Sequence, residues 1–210
     1  MSLEVKQLQC IRGDRQLFSN LSFSLNESQL MMLEGRNGSG KTTLLRALCG
    51  LYLPDEGEIL WKNESIKKQD EAYRSELLYL GHLNAIKADL TVLENLRINT
   101  LLAGERIADS VLMQALDNIG LYAFEDFPSS QLSQGQKRRV ALARLLVSKA
   151  KLWILDEPFV ALDVAAVEQL QSTIANHVDN GGMVILTTHQ EVPLTTGKIK
   201  RISLSEYEAA

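Results

Sequence analysis

The first segments of the chain place apolar side chains at alternating positions. Residues 3–8 and 21–25 both show this period of two, which predicts two strands. Residues 30–33 are apolar without interruption and end shortly before Gly35, which is typical of a buried strand that runs into a glycine loop. The chain therefore opens with strands, and the third of them leads into a turn.

The rest of the chain alternates between strand patterns and helical patterns. Thr91 and Glu94 have the spacing of a capping box, in which a hydroxyl and a carboxylate satisfy the first amides of a helix. The other predicted helices cover residues 41–49, 107–119, 136–147 and 164–178, and the other predicted strands cover residues 58–61, 77–80, 152–155, 183–186 and 199–204. Strands that alternate with helices indicate an α/β protein with a mostly parallel sheet and an inserted helical block.

Composition and charge narrow the classes of protein that fit this pattern. The 210 residues carry a net charge of -4 and no long basic run, which argues against a nucleic-acid partner. No apolar stretch approaches the about 18 residues that cross a bilayer, and residues 1–4 do not open a signal peptide. Cys10 and Cys49 lack metal-ligand spacing, so we expect them in the core of a protein from a reducing compartment. These features predict a cytoplasmic chain that meets a membrane only through another chain.

Residues 35–42 match the phosphate-loop pattern at every fixed position. Glycines allow the tight turn that points backbone amides at phosphate oxygens, and the following helix start attracts anions. Lys41 is predicted to reach the β- and γ-phosphates, and the Thr42 hydroxyl to hold Mg²⁺. The nucleotide contacts predicted for this segment are Gly35, Arg36, Asn37, Gly38, Ser39, Gly40, Lys41, Thr42 and Thr43.

The apolar strand predicted at residues 152–155 ends in two acids, Asp156 and Glu157. Carboxylates at the C-terminal end of a buried strand suit the Mg²⁺ site of a nucleotide-binding fold. Asp156 is predicted to orient Mg²⁺, and Glu157 to act as the base that polarises the attacking water. The alternative is that one of these acids only caps the next helix. At this point the residues indicate a P-loop ATPase.

A third motif lies between the phosphate loop and the acidic strand. Residues 132–136 read Leu-Ser-Gln-Gly-Gln and resemble the signature of ABC nucleotide-binding domains, and the resemblance extends over nearly the whole chain. The signature residues expected to contact nucleotide are Ser133, Gln134, Gly135 and Gln136. His189 resembles the family's switch histidine, which contacts the γ-phosphate. Asp163 lies in a segment similar to the D-loop that meets the partner subunit.

The resemblance implies a fold and an activity for the whole chain. It implies one ATP-binding domain over residues 1–210, of the P-loop NTPase class, with a RecA-like, mostly parallel sheet and an N-terminal antiparallel β part. Residues 1–81 and 149–210 would form this core, and residues 82–148 an inserted helical subdomain. The implied activity is ATP hydrolysis with Mg²⁺ in a head-to-tail homodimer, where each ATP lies between the phosphate loop of one chain and the signature of the other. The motion would be passed to integral membrane subunits.

Two positions depart from the family pattern. The adenine-stacking aromatic falls at Arg12, whose guanidinium can stack on a base; the alternative is an exposed arginine with adenine held in another way. The glutamine of the Q-loop, which normally senses Mg²⁺, falls at His82, and the alternative is a histidine that only packs at an interface.

Several segments also resemble the ATPase subunits of haem exporters in bacterial cytochrome c maturation. These segments are residues 78–82, 125–126, 136–145, 153–159, 181–190 and 198–204, with His82 in place of glutamine the most distinctive feature. The resemblance implies a peripheral subunit on the cytoplasmic face of the bacterial inner membrane that does not itself bind haem. Two alternatives stay open: an ABC ATPase for another substrate such as a lipoprotein, an amino acid or a metal, and a soluble ABC ATPase that acts on nucleic acid or the ribosome.

Overall fold

The computed structural model describes residues 1–188 and 198–207 of the chain. Its strands in these ranges are β1 (Ser2–Arg12), β2 (Arg15–Asn26), β3 (Gln29–Glu34), β4 (Glu56–Trp61), β5 (Glu64–Ser65), β6 (Leu77–Leu80), β7 (Leu152–Asp156), β8 (Met183–Thr187) and β9 (Lys198–Ser203). Its α-helices there are α1 (Lys41–Leu48), α2 (Asp70–Ser75), α3 (Val92–Leu102), α4 (Asp109–Asn118), α5 (Gln134–Val147) and α6 (Val164–Asp179). Short 3-10 turns cover Ser129–Gln131 and Leu204–Glu206.

The N-terminal strands form an antiparallel sheet in the order β2-β1-β4-β5. The inward residues of β1, among them Leu3, Val5 and Leu8, are buried, whereas Lys6 and Gln7 are exposed. This alternation produced the period of two in the sequence, and it confirms the predicted antiparallel part.

The second sheet is parallel throughout and has the order β6-β7-β8-β3-β9. All five residues of β7 and all five of β8 are buried, because helices or the other sheet cover both faces. Parallel strands end at the same edge of a sheet, and ligands bind in the crevice outside those ends. The loops that follow β3, β6 and β7 therefore meet at one edge, and they carry the phosphate loop, His82 and Glu157, while Asp156 ends β7 itself.

Three groups of buried apolar residues hold these layers together. The first lies between the two sheets and includes one face of α1. The second covers the other face of the parallel sheet with residues of α5 and α6. The third joins α3, α4 and α5. Helix α5 contributes Leu142 and Leu145 to the second group but Val140 and Ala143 to the third, so it is the element that the two groups share.

Local capping fixes where two of the helices begin. Thr91 Oγ1 accepts a hydrogen bond from the amide of Glu94 at 3.2 Å, and the Glu94 carboxylate accepts one from the Thr91 amide at 2.8 Å. The predicted capping box is therefore confirmed. Ser133 and Gln136 form a second box at the start of α5, with bonds of 3.2 and 2.9 Å.

Both cysteines lie in the core, as the sequence predicts. Burial, and to a lesser extent the charge of Asp55, raises the pKa of the Cys10 thiol to about 12, which keeps it protonated. Burial also raises the pKa of Cys49. Across the described ranges, none of the helices has both the length and the apolar character that a membrane span requires.

Candidate nucleotide site

The phosphate loop connects β3 to α1 and ends at Gly40. This glycine has a φ of 99°, in the left-handed region that L side chains rarely adopt, and a Cβ there would lie 3.1 Å from Leu17 and 3.2 Å from the ring of Phe18. Glycine is therefore required both by the backbone conformation and by the packing of β2 beneath the loop. Among the described residues, no side chain caps the start of α1, so the first amides of this helix point into the loop.

Lys41 holds its ammonium group across the loop. Nζ donates to the carbonyl of Gly35 at 2.6 Å and to the carbonyl of Arg36 at 3.1 Å, and the side chain is almost entirely buried. The positive charge therefore lies inside the loop, next to the uncapped start of α1. Such a cluster of donors is suited to phosphate oxygens.

A chain of hydrogen bonds links the phosphate loop to the two acids. Thr42 Oγ1 donates to one carboxylate oxygen of Asp156 at 2.9 Å, and Thr187 Oγ1 donates to the other at 2.8 Å. The Thr187 hydroxyl in turn accepts from the backbone amide of Glu157 at 2.9 Å. Asp156 is 2% exposed, and each of its two carboxylate oxygens accepts one of these hydrogen bonds.

The donor atoms gathered here fit Mg²⁺. The Thr42 hydroxyl and the Asp156 carboxylate provide hard oxygen ligands within hydrogen-bond distance of one another. In the part of the chain that is described, no three His, Cys, Asp or Glu side chains cluster as a metal site. A cation at Thr42 and Asp156 would therefore take its remaining ligands from phosphates and water, as Mg²⁺ does in nucleotide enzymes.

A cavity of about 490 Å³ opens over these groups, a size that suits a small-molecule ligand. Leu17 and Val160 line it without having been predicted from the sequence. The predicted residues that line it are Arg12, Asn37, Gly38, Gly40, Lys41, Thr42, Thr43, His82, Asp156 and Glu157. The structure thus brings Arg12 and His82, the two departures from the family pattern, to the same cavity as the phosphate loop.

Other predicted residues pack within the phosphate loop without lining the cavity, and one lies outside the described residues. Ser39 is 1% exposed, and a Cβ at Gly35 would lie 2.6 Å from its hydroxyl, so these two residues pack against each other. Arg36 offers its backbone carbonyl to Lys41. His189 lies outside the described residues, and its predicted contact with the γ-phosphate stays a prediction.

The signature motif does not line this cavity in the same chain. Ser133 and Gln134 are exposed, and none of residues 133–136 is among the described residues that line the cavity. A Cβ at Gly135 would lie 2.9 Å from the carbonyl oxygen of Ala161, so this glycine also permits α5 to approach the segment after β7. Asp163 caps α6 through the amide of Ala166 at 2.9 Å and forms an ion pair with Arg139 of α5.

Besides Leu17 and Val160, two polar residues of the site were missed by the sequence analysis. Thr187 links Asp156 to the backbone of Glu157, and its only sequence signal was its place after an apolar strand. Arg138 is 4% exposed and contacts the backbone beside both acids. Burial lowers the pKa of its guanidinium, although the negative charges of Asp156 and Glu157 act in the opposite direction. No motif pointed to this arginine.

Comparison with known proteins agrees with this geometry. Residues 18–160 match the ABC transporter family. The chain is 55% identical to the cytochrome c biogenesis ATP-binding export protein CcmA of Nitrosomonas europaea, over 97% of this chain and 95% of that protein.

Solved structures show the same fold. An ATP-binding ABC transporter protein from Pyrococcus furiosus has a TM-score of 0.84 at 25% identity and covers 100% of both chains. MJ0796, described as a bacterial ABC transporter cassette in a dimeric structure, has a TM-score of 0.83 at 23% identity and covers 96% of this chain and 94% of its own. The predicted α/β P-loop fold is confirmed, and the chain belongs to the ABC transporter family of ATP-binding cassettes, among the relatives named CcmA.

Proposed function

We propose that this chain is the ATP-hydrolysing subunit of a transporter that exports or delivers haem for cytochrome c maturation. The observation that carries the proposal is the hydrogen bond of 2.9 Å between Thr42 and Asp156, which joins the phosphate loop to the acidic strand end and places Glu157 at the same cavity. The haem assignment is supported by the similarity to CcmA proteins, whose name assigns them to cytochrome c biogenesis and export.

The residues have separate roles in this proposal. Lys41 and the loop amides hold the phosphates, and Thr42 with Asp156 holds Mg²⁺, which neutralises charge on the phosphates when it is bound. Glu157 orients and polarises the water that attacks the γ-phosphate. Arg12 stacks on the adenine, and His82 takes the place of the glutamine that senses Mg²⁺. His189 completes the γ-phosphate contacts.

The proposal includes a head-to-tail homodimer. Ser133 is exposed and outside its own chain's cavity, so a second chain must bring its signature helix to close the nucleotide site. A helix start with a serine at its tip suits a phosphate because it offers both amides and a hydroxyl. The dimeric structure of MJ0796 supports this arrangement for the fold.

The proposal also places the pair on the cytoplasmic face of the bacterial inner membrane, bound to integral membrane subunits that handle haem. The chain itself is not proposed to bind haem. His82 lines the nucleotide cavity, and the ring of His177 stacks on Trp153 with 3.7 Å between ring centroids. Neither ring is therefore proposed as a haem ligand.

The Glu157→Gln substitution tests the ATPase assignment. It keeps the size of the side chain but removes the base, so ATP hydrolysis should fall by about 100- to 10,000-fold while ATP binding persists. Phosphate release and nucleotide affinity are to be measured on the transporter purified from membranes. Glu71→Gln, an exposed acid of α2, is the matched control and should hydrolyse at the parent rate. Full turnover by Glu157→Gln would remove that residue from the base role.

A bacterial strain that lacks the gene tests the haem assignment. It should fail to mature c-type cytochromes, and the parent gene but not the Glu157→Gln gene should restore them, as read by haem staining of membrane proteins. Normal cytochromes in that strain, together with an amino-acid or metal permease in the purified complex, would contradict the assignment.

A further inference from the structure

Arg138 carries a buried positive charge that the mechanism above does not use. It lies in the second turn of α5, the helix that Ser133 caps, and it is 4% exposed. A buried charge is costly unless it is well hydrogen-bonded. The position of Arg138 therefore requires partners that compensate for the loss of water.

The first partners lie in the loop after β6, the loop that contains His82. Arg138 Nη1 donates to the carbonyl of Gly81 at 3.2 Å and to the side-chain oxygen of Asn84 at 3.1 Å. These two acceptors flank His82 on either side in the sequence. One nitrogen of the guanidinium therefore fixes the course of the His82 loop.

The other partners lie at the end of β7. Arg138 Nη2 donates to the carbonyl of Asp156 at 3.2 Å and to that of Glu157 at 2.7 Å, while Nε donates to the carbonyl of Pro158 at 3.3 Å. With the two bonds to the His82 loop, the five N–H groups of a guanidinium are matched by five acceptors. A lysine or a glutamine has too few donors to make this set.

The backbone of Glu157 needs such support. Its φ is 51°, in the left-handed region that a residue with a side chain adopts only at an energetic cost. Arg138 holds its carbonyl from one side, and Thr187 holds its amide from the other. The direction in which the Glu157 carboxylate leaves the main chain therefore depends on both contacts.

We propose that Arg138 is a positioning residue for ATP hydrolysis: its guanidinium fixes the backbone of Glu157 together with the His82 loop, and ties both to the signature helix. The inference rests on the proposed function, with Glu157 as the base. Because α5 begins with the signature, any displacement of that helix is transmitted to the catalytic backbone of its own chain.

The test compares Arg138→Gln and Arg138→Lys with Arg144→Gln in the purified transporter complex. Arg144 is a half-buried arginine of the same helix that lines a different cavity, so it is the matched control for loss of a helix charge. We expect both Arg138 variants to lower kcat roughly 10- to 100-fold, since a small misplacement of a catalytic group has effects of this size. KM for ATP should stay within about twofold, and Arg144→Gln should keep the parent kcat.

A double-mutant cycle with Glu157→Gln isolates the positioning role. If Arg138 acts through Glu157, Arg138→Gln should cost much less in the Glu157→Gln background than in the parent. Parent-like kcat in both Arg138 variants would overturn the inference, as would equal losses of kcat in the two backgrounds. A rise in KM, or a fall in Tm, that accounts for the loss of activity would also overturn it. A parent protein whose hydrolysis is insensitive to Glu157→Gln would instead overturn the proposed function.

Discussion

The N-termini of helices α1 and α5 differ in how their first backbone amides are satisfied. Helix α1 begins after Gly40 without a side-chain cap among the described residues, and its first residue, Lys41, lies in the cavity. Helix α5 begins after the exposed Ser133, and its own Gln136 completes a capping box with that serine. Both ends carry the partial positive charge of a helix N-terminus. The difference shows that the chain leaves one such end open to its own cavity and stabilises the other at its surface.

The capped end can still bind a phosphate. The Ser133 oxygen accepts a hydrogen bond from the Gln136 amide, but its hydroxyl proton stays available to a second acceptor. Helix α3 provides a third case, because Thr91 and Glu94 form the same capping box at a helix outside the nucleotide site. Comparing these three starts separates the structural effect of a cap from a role in binding.

The largest effect on nucleotide binding is expected at the uncapped start of α1. Lys41→Ala removes charge-assisted phosphate contacts worth roughly 1.5–3 kcal/mol each, so the Kd for ATP should rise at least about tenfold. Titration with a fluorescent ATP analogue at fixed salt measures this, and Lys68→Ala, at an exposed lysine, is the control. An unchanged Kd would show that the loop does not bind the phosphates.

The next largest effect is expected on ATP-dependent pairing, at the exposed and capped start of α5. Ser133→Phe, made in the Glu157→Gln background, should leave ATP binding by one chain intact and abolish ATP-dependent dimers, because the ring would fill the space of the partner's phosphate. Light scattering after gel filtration with ATP and Mg²⁺ reports the dimer. Ser110→Phe at the exposed start of α4 is the matched control and should not prevent pairing. Persisting dimers in Ser133→Phe would exclude the signature as the contact between chains.

The smallest effect distinguishes capping from binding. Thr91→Ala and Ser133→Ala should each lower the free energy of unfolding by about 0.5–2 kcal/mol through loss of the cap, as read by urea denaturation. Only Ser133→Ala should also weaken ATP-dependent pairing. A pairing defect of similar size in Thr91→Ala would mean that general destabilisation explains both.

The fold was predictable where local pattern and burial coincide. Strands β7 and β8 of the parallel sheet are buried on both faces, so they read as continuous apolar runs. Helix α2 was not predicted because its six residues are mostly polar. It is held by Tyr73, whose hydroxyl donates to the carbonyl of Leu48 at 2.7 Å, and that contact is invisible in sequence spacing.

The residues of the nucleotide site also divide into those that local motifs predicted and those that only the fold brings together. The phosphate loop and the two acids are local motifs, and the structure brings them together. Thr187 lies beside Asp156 only because β7 and β8 pair in that register. Arg138 binds the carbonyl of Gly81, which is 57 positions away in the sequence. Neither a strand register nor a contact of this range is encoded in the spacing of residues along the chain.

The packing of helix α5 on two sides affects how the protein unfolds. Leu142 and Leu145 pack with the parallel sheet, while Val140 and Ala143 pack with α3 and α4, so the helix is apolar on two sides. If α3 and α4 separated from the parallel sheet, α5 would expose one of those sides to water at a cost of about 1.5–3 kcal/mol per large side chain. Heat or denaturant should therefore melt these helices and the sheet in a single cooperative step.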